Sequence, residues 1–368
     1  MRPSKHSTQS GRLPRPRDPV GQVLIRFRGD AADDDHPIHD ISAAAVAGDA
    51  LFLAGDEANT IERMTRREDD SLGNCATYAL ADLLDLADAD EEMDIEGLAV
   101  ADGWLWVTGS HARTRRDPED DGSEPDCIDL DALANLKDTR ARCVLARIPL
   151  TEDSAGRLEP VQRDGKRRAG LVAQSSKHGS KLARAIEQDA LLGPSTRLAA
   201  KEGGLDIEGL ALAGERVALG LRGPVLRSYA VVLEPPIEPR KSGKLHLNGA
   251  PFKRLVDLFG LGIRDMRPHG ADLYILAGPT ADLDGRCAVF RWSGWAEDPP
   301  EDATLVRLHR PEHLFDLPIR LDCDHPEGID FWTDADGTTR LLVLYDSPAP
   351  ERLDVANATL LADLFAID

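Results

Sequence analysis

The chain has 368 residues, with 44 Lys plus Arg against 65 Asp plus Glu, a formal net charge of −21. That acidity argues against a nucleic-acid backbone or an anionic membrane surface as the main partner, and no run of about 18 apolar residues is present to form a membrane helix. With 42% apolar residues, the chain can bury a large core without staples, as two ordinary domains or as one repeat-built domain.

Residues 1–19 are basic and lack an apolar stretch, so they read as a flexible tail rather than a secretory leader. The cysteines (Cys75, Cys127, Cys143, Cys287 and Cys323) are odd in number and far apart, with no C-x-x-C pair. Reduced thiols in a cytoplasm are the expected state. Residues 20–27 (VGQVLIRF) then form a lone strand before the first repeat.

From Asp40 onward one pattern recurs. DIEGLA at Asp94 returns unchanged at Asp206, and HPEGID at His325 is a weaker copy. Five segments carry the pattern: DISAAAVAGDALFLAGDE from Asp40, DIEGLAVADGWLWVTGSH from Asp94, DIEGLALAGERVALGLRG from Asp206, GIRDMRPHGADLYILAGP from Gly262, and HPEGIDFWTDADGTTRLLVLYDSP from His325. Each reads as a strand a, a tight Gly/Asp turn and a strand b. A third strand c is expected at 74–80, 142–150, 227–235, 285–292 and 358–365. A fourth strand d is expected at 157–162, 245–249 and 303–308.

Four antiparallel strands repeated along the chain define an all-β fold, a β-propeller. The double spacing between Asp94 and Asp206 leaves room for a sixth blade. Insertions at about 112–140 and 163–204, the second with a short helix around 178–192, account for it equally well, so five blades are favoured and six stay open. The last repeat lacks a fourth strand, and residues 20–27 would supply it, closing the ring of a single domain over 20–368.

In an antiparallel blade the d–a and b–c loops share one face. The residue at the third motif position, Ser42, Glu96, Glu208, Arg264 or Glu327, starts each inner strand, so these residues should converge on one mouth of the central channel. The b–c loops add Asp56, Glu57, His111, Arg222 and Asp346, and both insertions should overhang the same mouth, where lids and binding loops sit. Three roles are open for Glu96, Glu208 and Glu327. They could tie blades together by accepting backbone N–H bonds. They could ligate Ca²⁺ or another divalent cation through hard oxygens. One could act as an acid or base with a raised pKa. His111 could be a ligand or base, or a surface histidine. Arg222, fixed between Gly and Pro, suits an anionic substrate group or a salt bridge to a motif glutamate. His178, with Lys177 and Lys181, reads as a solvated helix start. The acidic runs at 33–35, 68–70 and 117–121 read as solvated loops.

GLDIEGL (204–210) after Lys201, GLRGPVLR (220–227) and GDEANTI (55–61) resemble the bacterial family catalogued as domain of unknown function 3616. The resemblance spans nearly the whole chain after about residue 20 and implies a β-propeller-type fold with no assigned activity. More distantly, the D-x-E-G element is similar to one in phytase-like and esterase-like propellers, some of which are calcium-dependent phosphoesterases. The fourth repeat, with Arg264, departs from the motif. The expected function is binding of a small anionic or metal-associated ligand at the mouth. Its enzymatic version is a metal-dependent hydrolase of phosphoesters or lactones, with Glu96, Glu208 and Glu327 as metal ligands and Glu208, His111 and Arg222 as catalytic residues. The competing reading is a non-catalytic scaffold that recruits a protein partner.

Overall fold

Each motif segment folds as the inner hairpin of a four-stranded antiparallel sheet. In the computed structural model, residues 16–367 are described apart from 34–35, 57–58, 90, 116–127, 138, 176, 282 and 301–303. Glu57, Cys127 and most of the acidic runs therefore lie outside the described residues.

Strands a to d of blade 1 are Ile41–Ala47, Ala50–Gly55, Thr60–Arg66 and Leu72–Ala79. Blade 2 has Ile95–Ala101, Trp104–Gly109 and Leu145–Glu152, with its d position split between Leu158–Pro160 and Gly170–Leu171. Blade 3 has Asp206–Ala213, Arg216–Gly223, Ala230–Glu234 and Phe252–Val256. Blade 4 has Gly262–His269, Asp272–Gly278, Ala288–Trp292 and Glu312–Asp316. Blade 5 has His325–Thr333, Thr339–Asp346 and Thr359–Phe365, and its fourth strand is Gly21–Arg26 from the start of the chain. The N-terminal strand thus closes the ring as its pattern predicts, pairing Gly21 with Leu364 through Arg26 with Thr359.

The turns follow local chemistry. Ala101 pairs with Trp104 across Asp102-Gly103, both at positive φ (51° and 73°), which suits the twist of a two-residue hairpin. Along the inner strands, alternate side chains enter different interfaces. Leu51 and Leu53 pack between blades 5 and 1, whereas Ala50, Phe52 and Ala54 pack between blades 1 and 2. The same alternation sends Leu210 and Leu212 toward blade 2 and Ala211 toward blade 4. Five apolar clusters result, one at each junction around the ring. With both faces covered, the strands read as near-continuous apolar runs.

Several outer strands differ from the pattern-based expectation. In blade 1, residues 74–80 fall in strand d, and strand c is TIERMTR, whose charged residues disguised it. Glu62 is buried there, accepting from Thr77 Oγ1 at 2.7 Å and from Cys75 Sγ at 3.1 Å. The stretch 245–249 contributes Leu245–Leu247 to a side hairpin with Ile237–Pro239, not to the blade. Of 303–308, Leu308 belongs to a short strand lying parallel to strand d of blade 3. The helix of the second insertion runs only over Lys181–Glu187, capped by Ser180 Oγ accepting from Ala183 N at 3.1 Å. It stops because Asp189 Oδ1 takes the next free amides, those of Leu191 and Leu192. Among the described residues, no helix is long and apolar enough to cross a membrane.

Candidate active site at the channel mouth

All five inner hairpins share an irregularity. The pairing of strands a and b slips between Ile41 and Ala43, Ile95 and Gly97, Ile207 and Gly209, Ile263 and Asp265, and Pro326 and Gly328. The residue left over in each is the third motif residue: Ser42, Glu96, Glu208, Arg264 or Glu327. A bulge re-aims the side chain it carries, so this repeated bulge sets one polar side chain per blade apart from the apolar alternation. In the three repeats with a glutamate a glycine follows it, and in blade 2 it is needed for packing. A Cβ on Gly97 would sit 2.7 Å from Thr108 Cγ2 and 2.9 Å from Leu210 Cβ of blade 3.

The five side chains do not play equal parts. Ser42 Oγ donates to Ile95 O of blade 2 at 2.5 Å. Arg264 of blade 4 lies between its neighbours, with Nε 3.2 Å from Glu208 Oε2 of blade 3 and Nη2 on Glu327 Oε1 of blade 5. Glu208 is also held by Arg222 Nη1 at 2.9 Å, while Arg222 Nη2 pairs with Asp206 at 2.6 Å. Asp94, the equivalent of Asp206, binds Arg142 Nη1 at 2.7 Å and accepts from Ser110 Oγ. Glu96 has neither an ion pair nor a hydrogen bond among the described residues, and Arg222 acts on it only through its longer-range charge.

Below this ring, carboxylates do tie blades together, at positions other than the motif glutamates. Asp265 accepts from Ile329 N of blade 5 at 2.9 Å, and Asp330 accepts from Val46 N of blade 1 at 2.7 Å. Arg267 spans the channel. It donates to Ile329 O at 3.0 Å, to Leu98 O at 2.7 Å and to Ala44 O at 2.7 Å, joining blades 5, 2 and 1 to its own blade 4. Its guanidinium is fully committed, with Asp265 at 3.0 Å and Asp330 at 3.4 Å as counter-charges. The channel is therefore blocked by a buried arginine, and the mouth above it is a blind cavity.

That cavity has a volume of ≈ 590 Å³, and its walls include Asp56, Asp94, Glu96, Asp206, Glu327 and Asp346. Glu96 is partly exposed into it yet surrounded by protein mass. Its carboxyl is pushed well above the usual range, first by burial and then by the charges of Glu208, Asp94, Asp206 and Asp56. Burial, with Asp94, Asp346 and Asp40 nearby, raises Asp56 to about 7. Glu208 is raised to about 7, burial outweighing Arg222 and Arg264, and Asp94 to about 6. The mouth therefore holds protonated carboxyls at neutral pH.

The other predicted residues are placed differently. Arg222 is engaged by Asp206 and Glu208, its salt-bridge alternative. His111 follows strand b of blade 2 but lines a separate cavity, with burial lowering its pKa to about 4. His178 lines that same cavity and pairs with Glu187 at 2.9 Å. Asp346 lies 3.5 Å from His325 Nδ1, whose Nε2 is 3.0 Å from Asp284. These two carboxylates raise the His325 pKa. The insertion at 112–140 separates strands b and c of blade 2, whereas that at 163–204 leads from its strand d into blade 3. Asp94 and Asp206 stand in the sequence as the first letter of the two identical DIEGLA copies, but their arginine partners were not legible there.

The residues present do not fit a resident divalent cation. Glu208 and Glu327 share the Arg264 guanidinium, which a cation would have to displace. Among the described residues no three His, Cys, Asp or Glu side chains group as a metal site. Glu208 and Glu327 are thus bridged by Arg264, with Glu96 left outside the bridge, rather than joined with it in a ligand cage.

Fold and site together define a β-propeller with a blind, carboxyl-lined mouth. Residues 40–363 match the family described as "Protein of unknown function (DUF3616)", and the chain belongs to that family. No curated protein sequence matches it. Among solved structures it is similar to an α-L-arabinanase mutant from Cellvibrio cellulosa, with TM-score 0.40 and 11% identity over 89% of this chain and 90% of that one. It is also similar to an exo-1,5-α-L-arabinanase from a bovine ruminal metagenomic library, with TM-score 0.37 and 12% identity over 92% and 95%. A glutaminyl cyclase from Myxococcus xanthus aligns with TM-score 0.38 and 9% identity over 95% and 100%. At these scores the likeness carries no inference about activity.

Proposed function

We propose that the mouth is the active site of an acid–base hydrolase that opens an ester or lactone in a small hydroxyl-bearing molecule. The observation that carries this reading is Glu96: a bulged inner-strand carboxyl, open to the cavity, without an ion pair or hydrogen bond among the described residues, and raised well above the usual carboxylate range. Such a group is a proton donor at neutral pH. Asp56, near 7, lines the same cavity and is close enough for its charge to act on Glu96. It is the matching base.

In the proposed reaction Asp56 takes a proton from water as the water oxygen bonds to the acyl carbon. The acyl carbon–oxygen bond then breaks, and the Glu96 proton goes to the leaving alkoxide. The products are a hydroxy acid or an acid plus an alcohol, and the proton on Asp56 returns through solvent. Glu208, held between Arg222 and Arg264, positions the ring and adds to the field that keeps Glu96 protonated. A phosphoester fits less well at Glu96, because Arg142, Arg222 and Arg264 are already neutralised by carboxylates.

An aryl acetate and a sugar lactone, tested with the full chain, probe the reading. Turnover should fall about a hundredfold or more in Glu96→Gln and Asp56→Asn, with circular dichroism unchanged. Equal turnover in wild type and Glu96→Gln would remove Glu96 from catalysis and the reading with it.

A further inference from the structure

Beside the mouth, and sharing Arg113 and Lys137 with it, lies a second cavity with a volume of ≈ 400 Å³. It is walled by Arg113, Lys137, Arg140 and Lys177, with His111 among its lining residues and Glu187 as its only carboxylate among the described residues. Glu187 is already taken by His178 Nδ1 at 2.9 Å. Both insertions build the site. Lys137 and Arg140 come from the first, and Lys177 and Glu187 from the second. In a chain of net charge −21, a concave site with four cations against one engaged carboxylate is not a sample of the average surface.

Two further features point to a ligand. First, the side chains of Arg113, Lys137 and Lys177 make no ion pair or hydrogen bond among the described residues, although acidic groups abound nearby. Second, His111 is buried and half-satisfied. Its Nδ1 is 3.1 Å from Gly109 O, and a carbonyl only accepts, so Nδ1 carries the hydrogen. In the neutral ring Nε2 is then a lone-pair acceptor, and it is buried without any partner. A native orphan of this kind calls for a donor from a water or a ligand.

We propose that this cavity binds a phosphorylated, hydroxyl-bearing small molecule, with Arg113, Lys137 and Lys177 on the phosphate and His111 Nε2 accepting from a hydroxyl. Three unpaired cations exceed what a single carboxylate's charge and two oxygens can use, whereas a phosphate dianion offers three peripheral oxygens. The volume suits a ligand of sugar-phosphate size. Arg113 and Lys137 also line the mouth, so the two cavities adjoin, but none of the residues on the phosphate takes part in the reaction assigned there, and the turnover and binding tests read the two apart.

Calorimetric titration of the full chain with glycerol 3-phosphate and with inorganic phosphate, at constant ionic strength, tests it. The expected result is saturable one-site binding of both, with glycerol 3-phosphate tighter by several-fold. The double variant Lys137→Ala/Lys177→Ala should weaken both by about tenfold or more. Lys241→Ala, an exposed lysine in the side hairpin of blade 3, should leave them unchanged. These lysines are exposed, so their removal leaves the core intact. Absence of saturable binding, no effect of the double variant, or equal weakening by Lys241→Ala would overturn the site. Inorganic phosphate binding as tightly as glycerol 3-phosphate would overturn the hydroxyl contact at His111.

Discussion

Arg264 Nε lies 3.2 Å from Glu208 Oε2, one blade away, at the same motif position of its own repeat. The departure of the fourth repeat from the glutamate pattern is therefore the feature that lets the pattern exist. Three ionised inner-strand glutamates gathered at one mouth would repel each other in a poorly solvated place. An arginine in the fourth repeat neutralises its two neighbours, Glu208 and Glu327. Glu96, which makes no ion pair with it, keeps its proton instead.

Replacing Arg264 by Met should leave Glu327 without its cation and Glu208 with Arg222 alone. Breaking a buried pair from one side costs about 3–5 kcal/mol. The loss in urea-unfolding free energy should be larger at pH 8 than at pH 5, because the stranded carboxyls take up protons as pH falls. An equal loss at both pH values would mean that lost packing, not charge, dominates.

Arg267→Met should be at least as damaging. The arginine satisfies carbonyls on three other blades and two carboxylates, and Met satisfies none. Each buried group left unpaired costs about 1–3 kcal/mol. Arg267→Lys should rescue only part of this, since one ammonium cannot reach three carbonyls in different directions. Thermal melts of both variants check the ranking Arg, Lys, Met.

The raised carboxyls of the mouth make stability depend on pH. Asp56 and Glu96 hold protons in the folded protein that the unfolded chain releases near pH 4. Their contribution is complete below that pH and is lost as pH rises, through about 7 for Asp56 and higher for Glu96. The slope is at most about 1.4 kcal/mol per pH unit per group. His111, depressed to about 4, acts oppositely between pH 4 and 6.5, so the decline should be clearest above 6.5. Urea midpoints should fall from pH 6.5 to 8 in wild type and fall less in Glu96→Gln and Asp56→Asn. Both variants should exceed wild type in stability at pH 8 while losing activity. Unaltered slopes would show that these carboxyls titrate normally.

Deleting residues 1–27 removes the outer strand of blade 5, with Val23 and Ile25 from the cluster shared with blade 1. It also exposes the edge of Thr359–Phe365 to pairing with other chains. The shortened chain should lose cooperative unfolding and aggregate, as size-exclusion chromatography and calorimetry would report. A monomeric product with an unchanged melt would deny that this strand closes the ring.

Much of the fold was readable because its causes are local. The motif recurs before each hairpin, Asp102-Gly103 is a turn on its own chemistry, and the unpaired strand at 20–27 matched a blade lacking one. The outer strands were harder. TIERMTR hides a strand because Glu62 is buried against Cys75 and Thr77, partners supplied only by strand pairing. LHLNG looks like a blade strand but pairs elsewhere, since strand propensity does not name a partner.

The site divides along the same line. The sequence by itself determined which residues stand at the mouth: one per repeat, at Ser42, Glu96, Glu208, Arg264 and Glu327, because a repeated motif puts equivalent residues at equivalent places. It could not say which of the glutamates is free. That depends on the bulge that re-aims them, on Arg222 from the adjacent strand, and above all on Arg264 and Arg267 from blade 4. Charges meet through space, so only the closed ring decided that Glu208 and Glu327 are neutralised, that the channel is blocked, and that Glu96 keeps its proton.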